Sequence, residues 1–414
     1  MFRVWLSLSF NDFIYGFFVR KNIKQIHVSI KKNLSSQSNK KFTALFSQCR
    51  VGFLFLLKFL KTKSKKKEII FCAYNLPEMI SVAKNLGYTI KFCDVDYKSG
   101  FIDLKQLKKK ITKDTMAIVL TNMFNTYSSS KDLRKITDKL NISLIEDNAI
   151  YFDNYSIQKK KKIFSGNIGD YTIYSFNIMK NISALYGGAV TTNNQSFIEF
   201  YEKKKKTLRS FFIIPLIKQI LIFFILKLMS LKFLFKTVFI NIIKYAHKNN
   251  IKMILKTIYP SLKFIKRKLP SYYFSRISDL SSYLIYSQLK NVHNRKINFN
   301  SRKEKNQYYL KKLSKIKNKN FKIIKILDNN YQNFLDFPIL VKDKKRFNAY
   351  LLKRGVEIRY KHYYNCEKIY SNNKECVSAE KFEKELVCLP NHKKISLPYI
   401  DYIVKNIDVY YSKH

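Results

Sequence analysis

The run Ile142-Ser143-Leu144-Ile145-Glu146-Asp147 closes a short apolar stretch with two acids. Downstream, Gly169-Asp170-Tyr171-Thr172-Ile173-Tyr174-Ser175-Phe176-Asn177-Ile178-Met179-Lys180-Asn181 leads a second apolar stretch into a serine and, five positions later, a lysine. A tight Gly187-Gly188-Ala189-Val190 follows. Short apolar runs bounded by polar or glycine residues read as buried strands. Working outward, the same kind of run recurs at Ile69 to Ala73, Thr89 to Val95 and Ala117 to Leu120, separated by helical patterns over Met79 to Leu86, Leu104 to Ile111 and Asp132 to Leu140. Strand and helix in alternation indicate an α/β fold, a mostly parallel sheet with helices on both faces. Ligands of such sheets sit at the carboxyl ends of the strands, which is where Glu146-Asp147-Asn148 falls.

An aspartate at a strand end is more often a turn former than a catalytic group, and one lysine among 79 Lys and Arg residues carries little weight alone. Their joint setting carries it. Lys180 follows an apolar strand and precedes a Gly-Gly turn instead of lying in a basic run. Desolvation lowers the pKa of such a lysine and makes it nucleophilic. Acid, hydroxyl and lysine in this order suit pyridoxal 5'-phosphate (PLP). The acid keeps the pyridine nitrogen protonated, the lysine takes the aldehyde as a Schiff base, and the Ser175 hydroxyl reaches the phosphate.

A chain of 414 residues with 46% hydrophobic content supports one large domain and a smaller one. The imbalance of 79 basic against 28 acidic residues ordinarily points to anionic partners. Here Lys, Asn, Ile, Phe and Tyr are abundant throughout while Gly (9), Pro (7) and Trp (1) are scarce, the pattern an A/T-rich genome gives any fold. Runs such as Lys65 to Lys67, Lys159 to Lys162 and Lys203 to Lys206 therefore read as solvated loops, with no nucleic-acid partner. The six cysteines form no C-x-x-C and no Cys/His cluster, so neither a metal site nor a disulfide framework is expected, and a reducing cytoplasm fits.

Residues 1–40 read as an N-terminal helical segment. Met1 to Val19 is apolar but holds Asn11 and Asp12 and lacks a small-residue cleavage site, which suggests an amphipathic helix packed on the body and not a secretory signal. Residues 41–204 form the large α/β domain, with the dense apolar block around Phe53 to Leu60 as a buried helix. Residues 205–268 read as an apolar and basic helical insertion. Within it, Phe211 to Ala246 is rich in Phe, Ile and Leu and carries Lys218, Lys227, Lys232, Lys236 and Lys244. The charge-free stretch Gln219 to Leu226 is far short of the roughly 20 apolar residues a bilayer span needs. Two readings stand: interfacial helices whose lysines reach anionic headgroups, or a helical insertion packed on its own domain or a second subunit. Residues 269–414 comprise a long polar helix from Ser278 to about Ile316 and a small α+β domain with strand-like Phe321 to Ile326 and Phe337 to Val341 and helices over Lys345 to Arg354 and Tyr399 to Val409.

From about Phe42 to the C-terminus the sequence resembles the DegT/DnrJ/StrS family of PLP-dependent sugar aminotransferases. The resemblance rests on Gly87-Tyr88 to Asp94-Val95-Asp96, Ile145-Glu146-Asp147-Asn148-Ala149, Gly169-Asp170 to Ser175-Phe176 with Lys180-Asn181, and Gly187 to Thr192. Arg276-Ile277-Ser278-Asp279-Leu280 leading to Gln288-Leu289, and Cys388-Leu389-Pro390-Asn391-His392, complete it. It implies the PLP-dependent transferase fold type I, with a mixed, mostly parallel seven-stranded sheet in a three-layer α/β/α large domain and a smaller C-terminal α+β domain. By the same resemblance Lys180 is the Schiff-base lysine and proton shuttle, Asp147 the partner of the pyridinium nitrogen and Ser175 a phosphate ligand. The implied reaction moves an amino group from glutamate or glutamine to a nucleotide-activated keto-sugar for lipopolysaccharide or other surface polysaccharide, in a homodimer with each site at the interface. Lysine at 180, where the dehydratase branch has histidine, points to amino transfer.

The family's Ser-Gly-Thr phosphate loop corresponds to Ser47-Gln48-Cys49, followed by Arg50, and the residue expected on the cofactor ring is Leu76, with Tyr74 two positions away. The Gln or His three positions after the acid is Ile150, and the Asn two positions before Arg276 is Phe274. Ser47, Gln48, Cys49 and Leu76 are thus the further expected cofactor contacts, and Arg359 and His362 the expected substrate contacts. These replacements motivate an alternative, a catalytically reduced PLP-fold protein serving as a membrane-peripheral binding or scaffold component of a glycan pathway.

Overall fold

The computed structural model describes residues 2–18, 22–124, 128–153, 155–158, 161–259, 269–326 and 335–412. Seven strands form the main sheet: β1 (Phe42–Phe46), β2 (Glu68–Cys72), β3 (Thr89–Cys93), β4 (Thr115–Thr121), β5 (Ser143–Asp147), β6 (Tyr171–Ser175) and β7 (Gly188–Thr192). Their order is β1-β7-β6-β5-β4-β2-β3, and only β7 runs against the rest. Every residue of β6 and β7 is buried, as expected of strands covered on both faces. The apolar block forms the Cys49–Lys63 helix, ten of whose residues are buried. Gly52 lets that helix lie flat on the sheet, since a Cβ there would stand 2.9 Å from Val190 Cγ2 and 3.0 Å from Phe46 Cδ2.

Strand register gathers the chemistry. Asp147 lies opposite Thr121 of β4 and Ile173 of β6, at the carboxyl end of the sheet's middle. Gly188 pairs with Ser175 on one side and Phe46 on the other, so the turn Ser47-Gln48-Cys49 that leaves β1 arrives beside the end of β6. Glu146, next to Asp147, holds the backbone N–H groups of Ile168 (2.8 Å) and Gly169 (2.6 Å), which fixes the loop that feeds β6.

A second sheet joins β8 (Phe321–Ile323), β9 (Phe337–Val341) and β10 (Leu386–Leu389), all antiparallel. It is tied to the main sheet's mouth by pairing of Tyr364–Asn365 with Tyr74–Asn75.

Several expectations need correction. Residues 2–9 are not helical; the buried apolar side chains Phe2, Val4, Leu6 and Leu8 recur with period 2, and the first helix is Phe10–Phe18. The Arg3 guanidinium anchors this arm, donating to Glu357 (2.9 Å) and to the Ile258 carbonyl (2.6 Å). The polar helix from Ser278 is two helices, Asp279–Lys290 and Val292–Leu313, because the Asn291 side chain accepts from Asn294 N–H (3.0 Å) and starts a new one. Lys203 to Lys205 close the Gln195–Lys205 helix, where positive charge suits the helix C-terminus, and are not a loop. Lys159 and Lys160 fall outside the described residues, while Lys161 and Lys162 belong to the strand Lys161–Phe164 and not to a loop.

The 205–268 stretch contains helices Ile213–Met229, Lys232–Lys248 and Lys252–Ile258, the first two set at 85° to each other. Phe223, Leu226 and Met229 face inward, Phe13 stacks on Phe223 with ring centroids 5.1 Å apart, and Lys227 donates to the Leu6 carbonyl (3.1 Å). No single helix among the described residues is long and apolar enough to cross a membrane.

Candidate active site

At the carboxyl end of the sheet opens a cleft of about 1250 Å³, its solvent-filled mouth included. It brings together Gln48, Cys49, Arg50 and Leu76 from the turns after β1 and β2, Asp147, Ser175 and Lys180 from β5, β6 and the loop beyond, and Arg359 and His362 from the C-terminal region. Of the residues expected from sequence only Ser47 does not line it.

Lys180 lies deep in this cleft, and burial pulls its pKa down to about 8. The Asp147 carboxylate opposes that shift, while the positive charges of Arg359 and Arg50 add to it. Burial raises the pKa of Asp147, against the pull of a hydrogen bond from Ala149 N–H (3.0 Å) and of the Lys180 charge. A buried carboxylate in that state gains most from a cation placed against it. The Cys49 thiol is pushed well up by burial and by Asp147, which keeps it protonated and removes it as a nucleophile.

Gln48 is the N-cap of the Cys49–Lys63 helix without making a side-chain cap bond. Its Nε2 and the Ser47 Oγ are both buried with no hydrogen-bond partner among the described residues. The orphaned Gln48 amide, the unsatisfied N–H groups of a helix N-terminus and the neighbouring Ser175 make a donor set suited to a phosphate dianion. The Gly187-Gly188 turn allows the close approach, because a Cβ on Gly188 would collide with the Gln48 and Cys49 backbone, 2.6 Å from Cys49 Cα. Arg50 adds positive charge at the same helix start and pairs with Glu78.

Leu76 lines the cleft, whereas Tyr74 is buried behind it, its Oη accepting from Tyr363 N–H (3.0 Å). Ile150 also lines the cleft and makes that part of its wall apolar. Arg359 is partly committed, its Nη2 lying 2.8 Å from Asp336. His362 is buried among Tyr74, Phe124 and Tyr363, and burial first, then Arg359 and Lys180, hold its pKa well below the usual value and keep it neutral.

Sequence reasoning missed Asn177, Tyr186 and Tyr363 as lining residues, and also Gln219, Ile222 and Thr257. Asn177 lies in the quoted stretch and Tyr186 directly before the Gly-Gly turn, so both were within reach. The other four depend on how distant segments fold back over the cleft, which no local pattern reports.

The DegT/DnrJ/EryC1/StrS aminotransferase family profile matches residues 28–211 and 262–408. The chain belongs to this family. The match starts earlier than the resemblance read from Phe42 and passes over 212–261. As a DegT/DnrJ/EryC1/StrS family member the chain has the PLP-dependent transferase fold type I, and the family's cofactor is pyridoxal 5'-phosphate. The donor set just described fits that group. The UDP-4-amino-4,6-dideoxy-N-acetyl-beta-L-altrosamine transaminase of Campylobacter jejuni is 30% identical over 149 residues, 35% of this chain and 37% of that protein. The chain's matches span about 37–42% of the length of the first curated relatives. Among solved structures, the Helicobacter pylori aminotransferase PseC, involved in the biosynthesis of pseudoaminic acid, superposes with a TM-score of 0.72 at 19% identity, covering 100% of this chain and 99% of that one. An E. coli GDP-4-keto-6-deoxy-D-mannose-3-dehydratase with bound hydrated PLP gives 0.71 at 18% identity, covering 97% and 98%. At these identities the structures speak to the fold alone.

Proposed function

We propose that the protein is a PLP-dependent aminotransferase that moves an amino group from glutamate or glutamine to a keto-sugar, a nucleotide-activated one, in surface polysaccharide or lipopolysaccharide biosynthesis. The observation that carries the reading is Lys180, a lysine with its pKa near 8, sharing one cleft with buried Asp147 and an orphaned donor set at a helix N-terminus. Bound PLP supplies the electron sink that makes a carbon next to the amine acidic. The residues do the rest. Ser175, Gln48 and the start of the Cys49–Lys63 helix would hold the phosphate, and Asp147 would set negative charge against the ring nitrogen. Near pH 8 the Lys180 Nζ is divided between its neutral and charged forms, so it both takes a proton and returns it. Arg50 and Arg359 bring positive charge to where a substrate carboxylate or phosphate enters. Lysine at 180 supports amino transfer over dehydration.

Family membership supports a homodimer working in the cytoplasm. The exposed apolar side chains of 211–246 support a peripheral contact with the membrane. The reaction is tested by incubating PLP-loaded protein with glutamate or glutamine and measuring the 2-oxo acid released. One equivalent per site without any sugar is expected. No 2-oxo acid from either donor would overturn the reading.

A further inference from the structure

The Ile213–Met229 helix has two working faces. Inward, Gln219 and Ile222 wall the cleft that holds Lys180. Outward, Ile214 (78% exposed), Leu221 and Leu228 are bare, and the next helix continues the surface with Phe233 (74% exposed). The Phe10–Phe18 helix, some two hundred residues away in sequence, joins the same surface. Its Phe10 stacks on Phe224 with ring centroids 5.9 Å apart, and its Phe18 is 80% exposed. Two separate parts of the chain thus build one large apolar face, well beyond the scattered exposed residues of an ordinary surface.

Charge says what covers it. From Lys203 to Ser278 the chain has no Asp or Glu and 18 Lys and Arg residues. Lys218, Lys232 and Lys236 are exposed beside the apolar side chains. The one acid of the Phe10–Phe18 helix, Asp12, is taken by Ser9, which donates to it from its N–H (3.0 Å) and its Oγ (2.7 Å). A second copy docking face to face would set these lysines against like charge, with Asp12 the one acid of the face to offset them. A bilayer with anionic headgroups meets both requirements, acyl chains for the apolar ridge and negative charge for the lysines flanking it.

We propose that the Phe10–Phe18 and Ile213–Lys248 helices form a single docking face for anionic lipid, and that docking sets the mouth of the cleft at the membrane surface. The proposal rests on the peripheral-contact reading and adds the N-terminal helix, the lipid charge and the orientation of the cleft. The 85° bend between the two insertion helices lets both arms lie along the interface.

The test is co-sedimentation of the full-length protein with phosphatidylcholine vesicles, with and without phosphatidylglycerol. Size-exclusion chromatography, circular dichroism and the bound-cofactor spectrum are recorded on the same samples. Binding is expected only to the anionic vesicles and is lost in high salt. Each of Lys218→Gln, Lys232→Gln and Lys236→Gln is expected to lower the partition coefficient about fivefold. The variant Ile214→Ser/Leu221→Ser/Phe233→Ser, all at exposed positions, and the separate Phe18→Ser should lose vesicle binding while keeping the fold, the oligomeric state and the cofactor spectrum. Equal binding to neutral vesicles would overturn the proposal. So would no vesicle binding, or a dimer that falls apart in the triple variant, which would make this face a contact between copies. A missing cofactor spectrum alongside intact vesicle binding would overturn the aminotransferase reading and leave the docking face standing.

Discussion

Lys180→Met should stabilise the cofactor-free protein while destroying its capacity to hold the cofactor. The Lys180 ammonium is held in a buried site against its preference, with its pKa drawn from 10.5 to about 8. At neutral pH that difference corresponds to about 3 kcal/mol. The figure is a net one and already contains the attraction of Asp147. Because Lys180 keeps partial access to solvent through the cleft, a realised gain of roughly 2 kcal/mol is the better expectation. For a chain of this length that raises Tm by roughly 2–3 °C. The sign follows from proton counting. Between pH 8 and 10.5 the unfolded chain keeps a proton on this lysine that the folded chain has released, so wild-type stability rises with pH through that window and is flat with respect to this group below it. The advantage of methionine should therefore be full at pH 7, shrink above pH 8 and vanish above 10.5. Differential scanning fluorimetry of both proteins, stripped of cofactor, across this range measures it. An unchanged or lowered Tm for the methionine variant at pH 7 would refute the assignment of a desolvated ammonium at this position.

Asp147→Asn removes the charge that raises the Lys180 pKa, so cofactor capture by the cofactor-free protein should reach half its maximal rate at lower pH than in wild type. Amino transfer from glutamate in the same variant should fall by about 100-fold or more. Gly188→Ala pushes a methyl group into the Gln48 and Cys49 backbone. An overpacking cost of ~1–3 kcal/mol at the phosphate donors should weaken PLP binding by roughly five- to a hundredfold, read by titration against absorbance. Arg3→Met strands Glu357 without its cation in a buried setting and should cost about 3–5 kcal/mol in urea unfolding. The double variant Arg3→Met/Glu357→Gln should recover most of that loss.

The core of this site was legible because its parts end short apolar strands. Asp147 and Ser175 are the last residues of β5 and β6, and runs of that length bounded by polar residues need no tertiary information to read. Lys180 stood out only in that company. The pairing of Gly188 with both Ser175 and Phe46 explains why Ser47-Gln48-Cys49 serves the same pocket, but that register belongs to the sheet and not to any local pattern. Gln219, Ile222 and Thr257 escaped for a related reason. They sit on helices whose composition reads equally well as interfacial or packed, and the fold makes the Ile213–Met229 helix both, with Phe223 buried and Leu221 exposed. At the N-terminus the predominantly apolar run from Phe2 to Phe18 hid a change of period, from alternate buried apolar residues Phe2, Val4, Leu6 and Leu8 to a helix from Phe10. The break at Asn291 was hidden by the polar residues on both sides of it, although an asparagine that caps the following helix is a signal the sequence does carry.

The central claim is that Lys180 carries the cofactor. Borohydride reduction of the PLP-loaded protein, followed by proteolysis and mass spectrometry, tests it most directly by fixing the label where it is bound. The expected result is one pyridoxyl group per chain, on the peptide containing Lys180, and none in Lys180→Met. A label distributed over other lysines, or a chain that takes up none, would contradict the account.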